Sequence, residues 1–162
     1  MDKKKASLIL IVFALGWILS DVFSAIGSFD LEKPFSYRAK ELPSPGDWIQ
    51  EREIHVNKEN IVIDLKNAEW ASFYNTNSMD PIIDETSNGI EIKPKSEGDI
   101  KVGDIVSYVS EKEASTIIHR VVEIGSDEKG KYFIMKGDNN ADKDPEKVRF
   151  SQIKRVLVAV IY

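Results

Sequence analysis

Three short stretches of this chain hold side chains able to do nucleophilic chemistry. They are Asn-Thr-Asn-Ser-Met-Asp-Pro around Ser78, Ile-Ile-His-Arg-Val-Val-Glu-Ile around His119, and Lys-Gly-Asp-Asn-Asn-Ala-Asp-Lys-Asp-Pro, which carries Asp138, Asp142 and Asp144. A serine hydroxyl attacks poorly at neutral pH unless a base takes its proton. Histidine, with an unperturbed pKa of about 6.5, suits that task, and a carboxylate can hold the imidazole and stabilise its cation. Ser78, His119 and the acids of the third stretch would fill these roles if folding brings them together. Each stretch also has a plain structural reading. Ser78 precedes the turn-forming run Met79-Asp80-Pro81, His119 lies among Ile117, Ile118, Val121 and Val122 as a strand histidine would, and the third stretch suits a polar loop. Spacing alone leaves both readings open.

Other chemistries are narrower. The chain has no cysteine, which excludes thiol catalysis, disulfides and thiolate zinc sites within it, and its two histidines give little material for a metal centre. Asp138, Asn140 and Asp142 match the first, third and fifth positions of a calcium loop, but Lys143 stands where the turn needs glycine and Arg149 where a bidentate glutamate is required. No metal and no cofactor is expected. Lys136 is an alternative base, but only after losing its charge through burial. His55, between Ile54 and Val56, is expected to have no catalytic role.

These residues need elements to position them. At 162 residues, 42% hydrophobic and 9% aromatic, the chain can build the core of one domain. With 27 acidic and 22 basic residues, its formal charge of -5 gives no electrostatic case for a nucleic-acid partner. Residues 1–5 read as a basic cytoplasmic tail and 6–28 as a transmembrane anchor, because Lys3, Lys4 and Lys5 precede a run from Ala6 to Leu19 without charge. A span needs about 20 residues, so Ser20, Asp21 and Ser24 must sit near the far interface. A cleaved secretory signal is the competing reading, since Ala25 and Gly27 suit a cleavage site. Either way the remainder is exported.

Residues 29–47, with Pro34, Pro43 and Pro45, read as a linker loop. Residues 48–162 read as a β-rich catalytic domain. Arg-Glu-Ile-His-Val, a turn at Asn57 to Asn60, and Ile-Val-Ile-Asp-Leu form a hairpin; further short runs follow at 68–74, 89–93, 104–109, 115–124, 131–136 and 153–162, divided by Gly98, Gly103, Gly125, Gly130 and Gly137. Such spacing predicts a mostly antiparallel β-domain with a closed or nearly closed sheet, preceded by one transmembrane helix.

The motifs sharpen this picture through a resemblance. Asn-Thr-Asn-Ser-Met-Asp-Pro resembles the nucleophile box of type I signal peptidases, Gly-Asp-Ile-Val-Ser-Tyr at 103–108 the next box, the His119 stretch the box of the general base, and the Gly137-Asp138-Asn139 stretch the last box, all in family order. Where the usual bacterial enzymes carry a lysine before the arginine of the base box, this chain has His119 before Arg120. It therefore resembles the archaeal and endoplasmic-reticulum branch, whose members use serine, histidine and an acid. The resemblance implies Ser78 as nucleophile, His119 as base, and Asp138 or Asp144 as the acid, without choosing between them. Asp142 has no matching family position, and no family base matches Lys136. The backbone N–H of Ser78 is the natural first oxyanion donor. The second is Thr76, whose hydroxyl stands where some bacterial relatives carry a serine hydroxyl; capping a turn is its alternative role. Met79 and Pro81, beside the nucleophile, are the candidate substrate-binding residues.

The function so implied is a membrane-bound serine endopeptidase that removes signal peptides from exported precursors. Its partners would be those precursors, the lipid bilayer and the translocation machinery, with the catalytic domain on the extracytoplasmic side. A self-cleaving peptidase of the repressor-processing kind shares a Ser-Met-x-Pro motif, but uses lysine and lacks a membrane segment. A tethered β-domain that binds exported proteins without cutting them is the rival from another class.

Overall fold

The structure, a computed structural model, describes residues 42–162. The expected basic tail, membrane segment and first part of the linker lie outside the described residues. Among the described residues no helix is long and apolar enough to cross a membrane.

The β-branched runs become strands because alternating Ile and Val side chains pack well on a pleated surface. They are β1 (Ile54–Val56), β2 (Ile61–Ile63), β3 (Ala68–Ser72), β4 (Asn88–Ile92), β5 (Ile105–Val109), β6 (Thr116–Asp127), β7 (Gly130–Lys136), β8 (Lys147–Val148) and β9 (Ile153–Ile161). β1 and β2 form a separate hairpin, and the others form one antiparallel sheet in the order β3-β4-β9-β5-β6-β7-β8. This sheet curls strongly into a half-barrel. β3 and β8 are its two ends, so the described sheet is curled but not closed by a pairing between them.

Two departures from the sequence pattern have local causes. β6 continues through Gly125, which pairs with Tyr132 of β7; a Cβ at Gly125 would come within 2.4 Å of the Tyr132 ring, so the missing side chain makes room for the aromatic. The end of the proline-rich loop is not a free linker either. Gly46 N–H and Trp48 Nε1–H both donate to Asp104 Oδ1, at 2.7 and 3.0 Å, which ties this stretch to the start of β5.

β5 carries the core on both faces, as alternation along a strand allows. Val106 and Tyr108 join Val121, Phe133, Met135 and Val156 in one cluster, while Ile105 joins Met79, Ile83 and Leu157 in the other. Fully burying one such aliphatic side chain stabilises the fold by about 1.5–3 kcal/mol. The second cluster has a consequence for chemistry: burial of Met79 and Ile83 pins the loop after β3 to the sheet, and Ser78 with it.

Candidate active site

Ser78 follows Asn77, whose φ of +58° lies in the left-handed region that asparagine tolerates better than most residues. Met79, 2% exposed, then turns inward. The loop after β7 clamps this turn from outside. Asn139 N–H donates to the Ser78 carbonyl at 3.0 Å, Asn139 Nδ2 donates to the Asn77 carbonyl at 2.9 Å, and Asp138 N–H approaches Met79 Sδ at 3.4 Å. Gly137 permits the approach: a Cβ there would lie 2.5 Å from the Ser78 carbonyl oxygen. The Ser78 loop and the acid loop are thus one packed unit.

His119 is placed by the β5–β6 register, which sets it opposite Val106. Its Nδ1 lies 2.6 Å from Asp144 Oδ2, and both side chains are about nine-tenths buried, at 9% and 11% exposure. Asp144 is brought there by its backbone N–H, which donates to the Met135 carbonyl at 2.8 Å and folds the loop back on β7. The Tyr108 hydroxyl donates to the same Oδ2 at 2.7 Å. Burial by itself would raise the Asp144 carboxyl; the hydrogen bonds from His119 and Tyr108 and the charges of His119 and Lys136 outweigh it and hold the group below its ordinary value. An ionised Asp144 keeps the proton on Nδ1 and leaves the Nε2 lone pair available to accept one. Burial and the neighbouring Asp144 push the Tyr108 phenol far up, so it stays a donor.

The other sequence candidates are distributed differently. Asp138 does not reach His119. Its two oxygens accept from Arg120 Nε at 2.7 Å and Nη2 at 2.6 Å, and both side chains are about 95% buried. Arg120 Nη1 also donates to the carbonyls of Gly103 at 2.7 Å and Pro43 at 3.3 Å. The first ligand position of the calcium-like spacing is therefore spent on a guanidinium. Asp142 is exposed. Lys136 Nζ donates to the Asn140 carbonyl and lies outside the cleft wall, and His55 pairs with Asp64 at 3.2 Å on the separate hairpin. Pro81 is exposed and also outside the cleft wall, whereas Met79 serves both wall and core.

Ser78, Thr76, His119 and Asp144 all line one cleft of about 970 Å³. The Ser78 and Thr76 hydroxyls share a hydrogen bond of 3.1 Å. Among the described residues no direct hydrogen bond joins Ser78 to His119. Two strand edges border the cleft. β3 ends the sheet at Ala71 and Ser72, and β6 meets β7 only from Arg120 onward, which leaves Thr116 to His119 without a partner on that side.

Sequence reasoning did not find Tyr108, Asn139 or the clamp that Arg120 makes. All three lie in the stretches singled out above, and alternation puts Val106 and Tyr108 on one face of β5, but without the register to β6 and the loop bonds no role followed. No protein-family model, curated protein or solved structure matches this chain.

Proposed function

We propose that this chain is a serine endopeptidase of the type I signal peptidase kind, removing signal peptides from exported precursors at the membrane surface. The observation that carries the reading is the 2.6 Å contact of His119 with Asp144 in the cleft that Ser78 also lines. An extended precursor would lie between the β3 and β6 edges, its main chain supplying hydrogen bonds and its small side chains entering shallow pockets. His119 Nε2 takes the Ser78 proton as Oγ attacks the scissile carbonyl. The C–N bond then breaks, the proton passes to the leaving amine, and water attacks the acyl-enzyme by the reverse of the same transfers. The Ser78 N–H and the Thr76 hydroxyl, which lies 3.1 Å from the Ser78 hydroxyl, would donate to the developing oxyanion. An amino-terminal anchor would hold enzyme and signal segment on one surface, raising their effective concentration.

One observation favours a second reading, a binding domain that does not cut: the Ser78 hydroxyl is bonded to Thr76 and not to His119. Incubation of the full chain in detergent with a signal-bearing precursor separates the two. The proposal expects cleavage at one bond by the wild type and none by Ser78→Ala. Absence of cleavage by both, with the precursor retained on the protein, would establish the binding domain instead.

A further inference from the structure

Tyr108 is fully buried in the core, yet it carries a hydroxyl where phenylalanine would fill the same space with no polar atom to satisfy. That hydroxyl finds its partner in Asp144, on the oxygen that His119 also contacts: the two donors stand 2.7 and 2.6 Å from Oδ2. A carboxylate oxygen has two lone pairs, and both are engaged here. Rotating the Asp144 carboxylate would break both bonds at once. Register explains the meeting. Tyr108 lies opposite Ile117, two positions along each strand from the Val106–His119 pair, so Tyr108 and His119 are diagonal neighbours on one face.

We infer that Tyr108 is a positioning residue of the proposed active site, whose hydroxyl locks the Asp144 carboxylate in the orientation that holds His119. The inference rests on the reading of this site as a serine peptidase, but the bond can be tested without activity. The ionisable groups around the pair are His119 on β6, Lys136 at the end of β7, Glu146 after the acid loop and Glu113 in the turn between β5 and β6. Lys136 and His119 favour the charged carboxylate, and Glu113 and Glu146 oppose charge on the phenol. None of these can replace the hydroxyl as a donor held in the core.

Tyr108→Phe removes the oxygen and keeps the ring. One bond to a charged group is lost, so kcat on a signal-bearing precursor should fall about ten-fold while KM stays within about two-fold. A change in melting temperature alone, with kcat as in the wild type, overturns the inference and leaves Tyr108 as core packing. The second readout is the His119 Nδ1 proton in NMR spectra of the full chain in detergent. Its exchange with water should speed up about ten-fold in Tyr108→Phe, and an unchanged rate contradicts the lock. Should Tyr108→Phe fail to fold, the Tyr108 hydroxyl proton reports from the other side: slow exchange in the wild type, accelerated in Asp144→Ala, with equal rates overturning the inference. A wild type that cleaves nothing sinks the peptidase reading, and the proton measurements still decide the lock.

Discussion

Asp138 and Asp144 belong to one loop between β7 and β8, and their surroundings divide them completely. Asp138 meets a guanidinium through both oxygens in a pair about 95% buried, outside the cleft wall. Asp144 offers one oxygen to an imidazole and a phenol in the wall of the cleft. A carboxylate fully engaged by arginine has no freedom to respond to a changing partner, and its value is mechanical: it ties β6 to the loop that grips Ser78. A carboxylate held by neutral or switchable donors can stabilise a charge that comes and goes. Glu91, also in the cleft wall, makes a third case, since burial raises its carboxyl despite help from Ser107 and Arg155. Local partners, not residue type, set what each acid does.

The first way to break the comparison is at the cleft side. Ser78→Ala and His119→Ala should each lower precursor cleavage per folded molecule by at least about 10⁴-fold. Retained turnover in either would remove the reason to treat Asp144 as anything but structural. At the clamp side, Asp138→Ala strands a buried guanidinium and should cost about 3–5 kcal/mol in denaturant unfolding. An unchanged midpoint would mean that the clamp carries no weight.

Gly137→Ala tests the link between the two sides. The new Cβ must displace the Ser78 carbonyl from 2.5 Å, and a shift approaching 1 Å at the nucleophile should lower kcat by about 10²-fold. Wild-type kcat would show that the acid loop and the Ser78 loop move independently.

The smallest effects concern pH and stability. Asp144 is held below its ordinary value, so its contribution is present above about pH 4 and is lost as the pH falls through the folded pKa. Asp144→Asn should flatten that acid loss. Glu91 has the opposite sign: its folded carboxyl is raised, so stability falls as the pH rises through that value. Glu91→Gln should therefore raise the melting temperature by a few degrees at neutral pH and leave it unchanged in acid, where the native carboxyl is already protonated. A lower melting temperature at neutral pH would show Glu91 to be a stabilising partner of Arg155.

Much of this fold was readable before the structure, for a physical reason. Strands such as β5, β6 and β9 are built from consecutive β-branched residues bounded by glycine and polar turns, a signal contained within each segment. β8 escaped because Lys147–Val148 is too short to show a period, and Gly125 misled because its role depends on Tyr132 across the strand pair. The site divides in the same way. Ser78, His119 and the acid loop stood out through local motifs, whereas the choice between Asp138 and Asp144 depends on backbone bonds from Asn139 to Ser78 and from Asp144 to Met135. Such bonds join distant segments and leave no trace in residue spacing. Tyr108 was hidden for the same reason. The expected membrane segment at 6–28 lies outside the described residues.

Asp144→Asn and Asp138→Asn, compared on one signal-bearing precursor near pH 7 with rates taken per folded molecule, test the division of labour most directly. The expected result is a fall in kcat of about 10³–10⁴-fold for Asp144→Asn with only a modest fall in melting temperature. Asp138→Asn should instead melt lower and keep kcat within about ten-fold of the wild type. Wild-type turnover by Asp144→Asn, or equal losses of kcat in the two variants, would contradict the account.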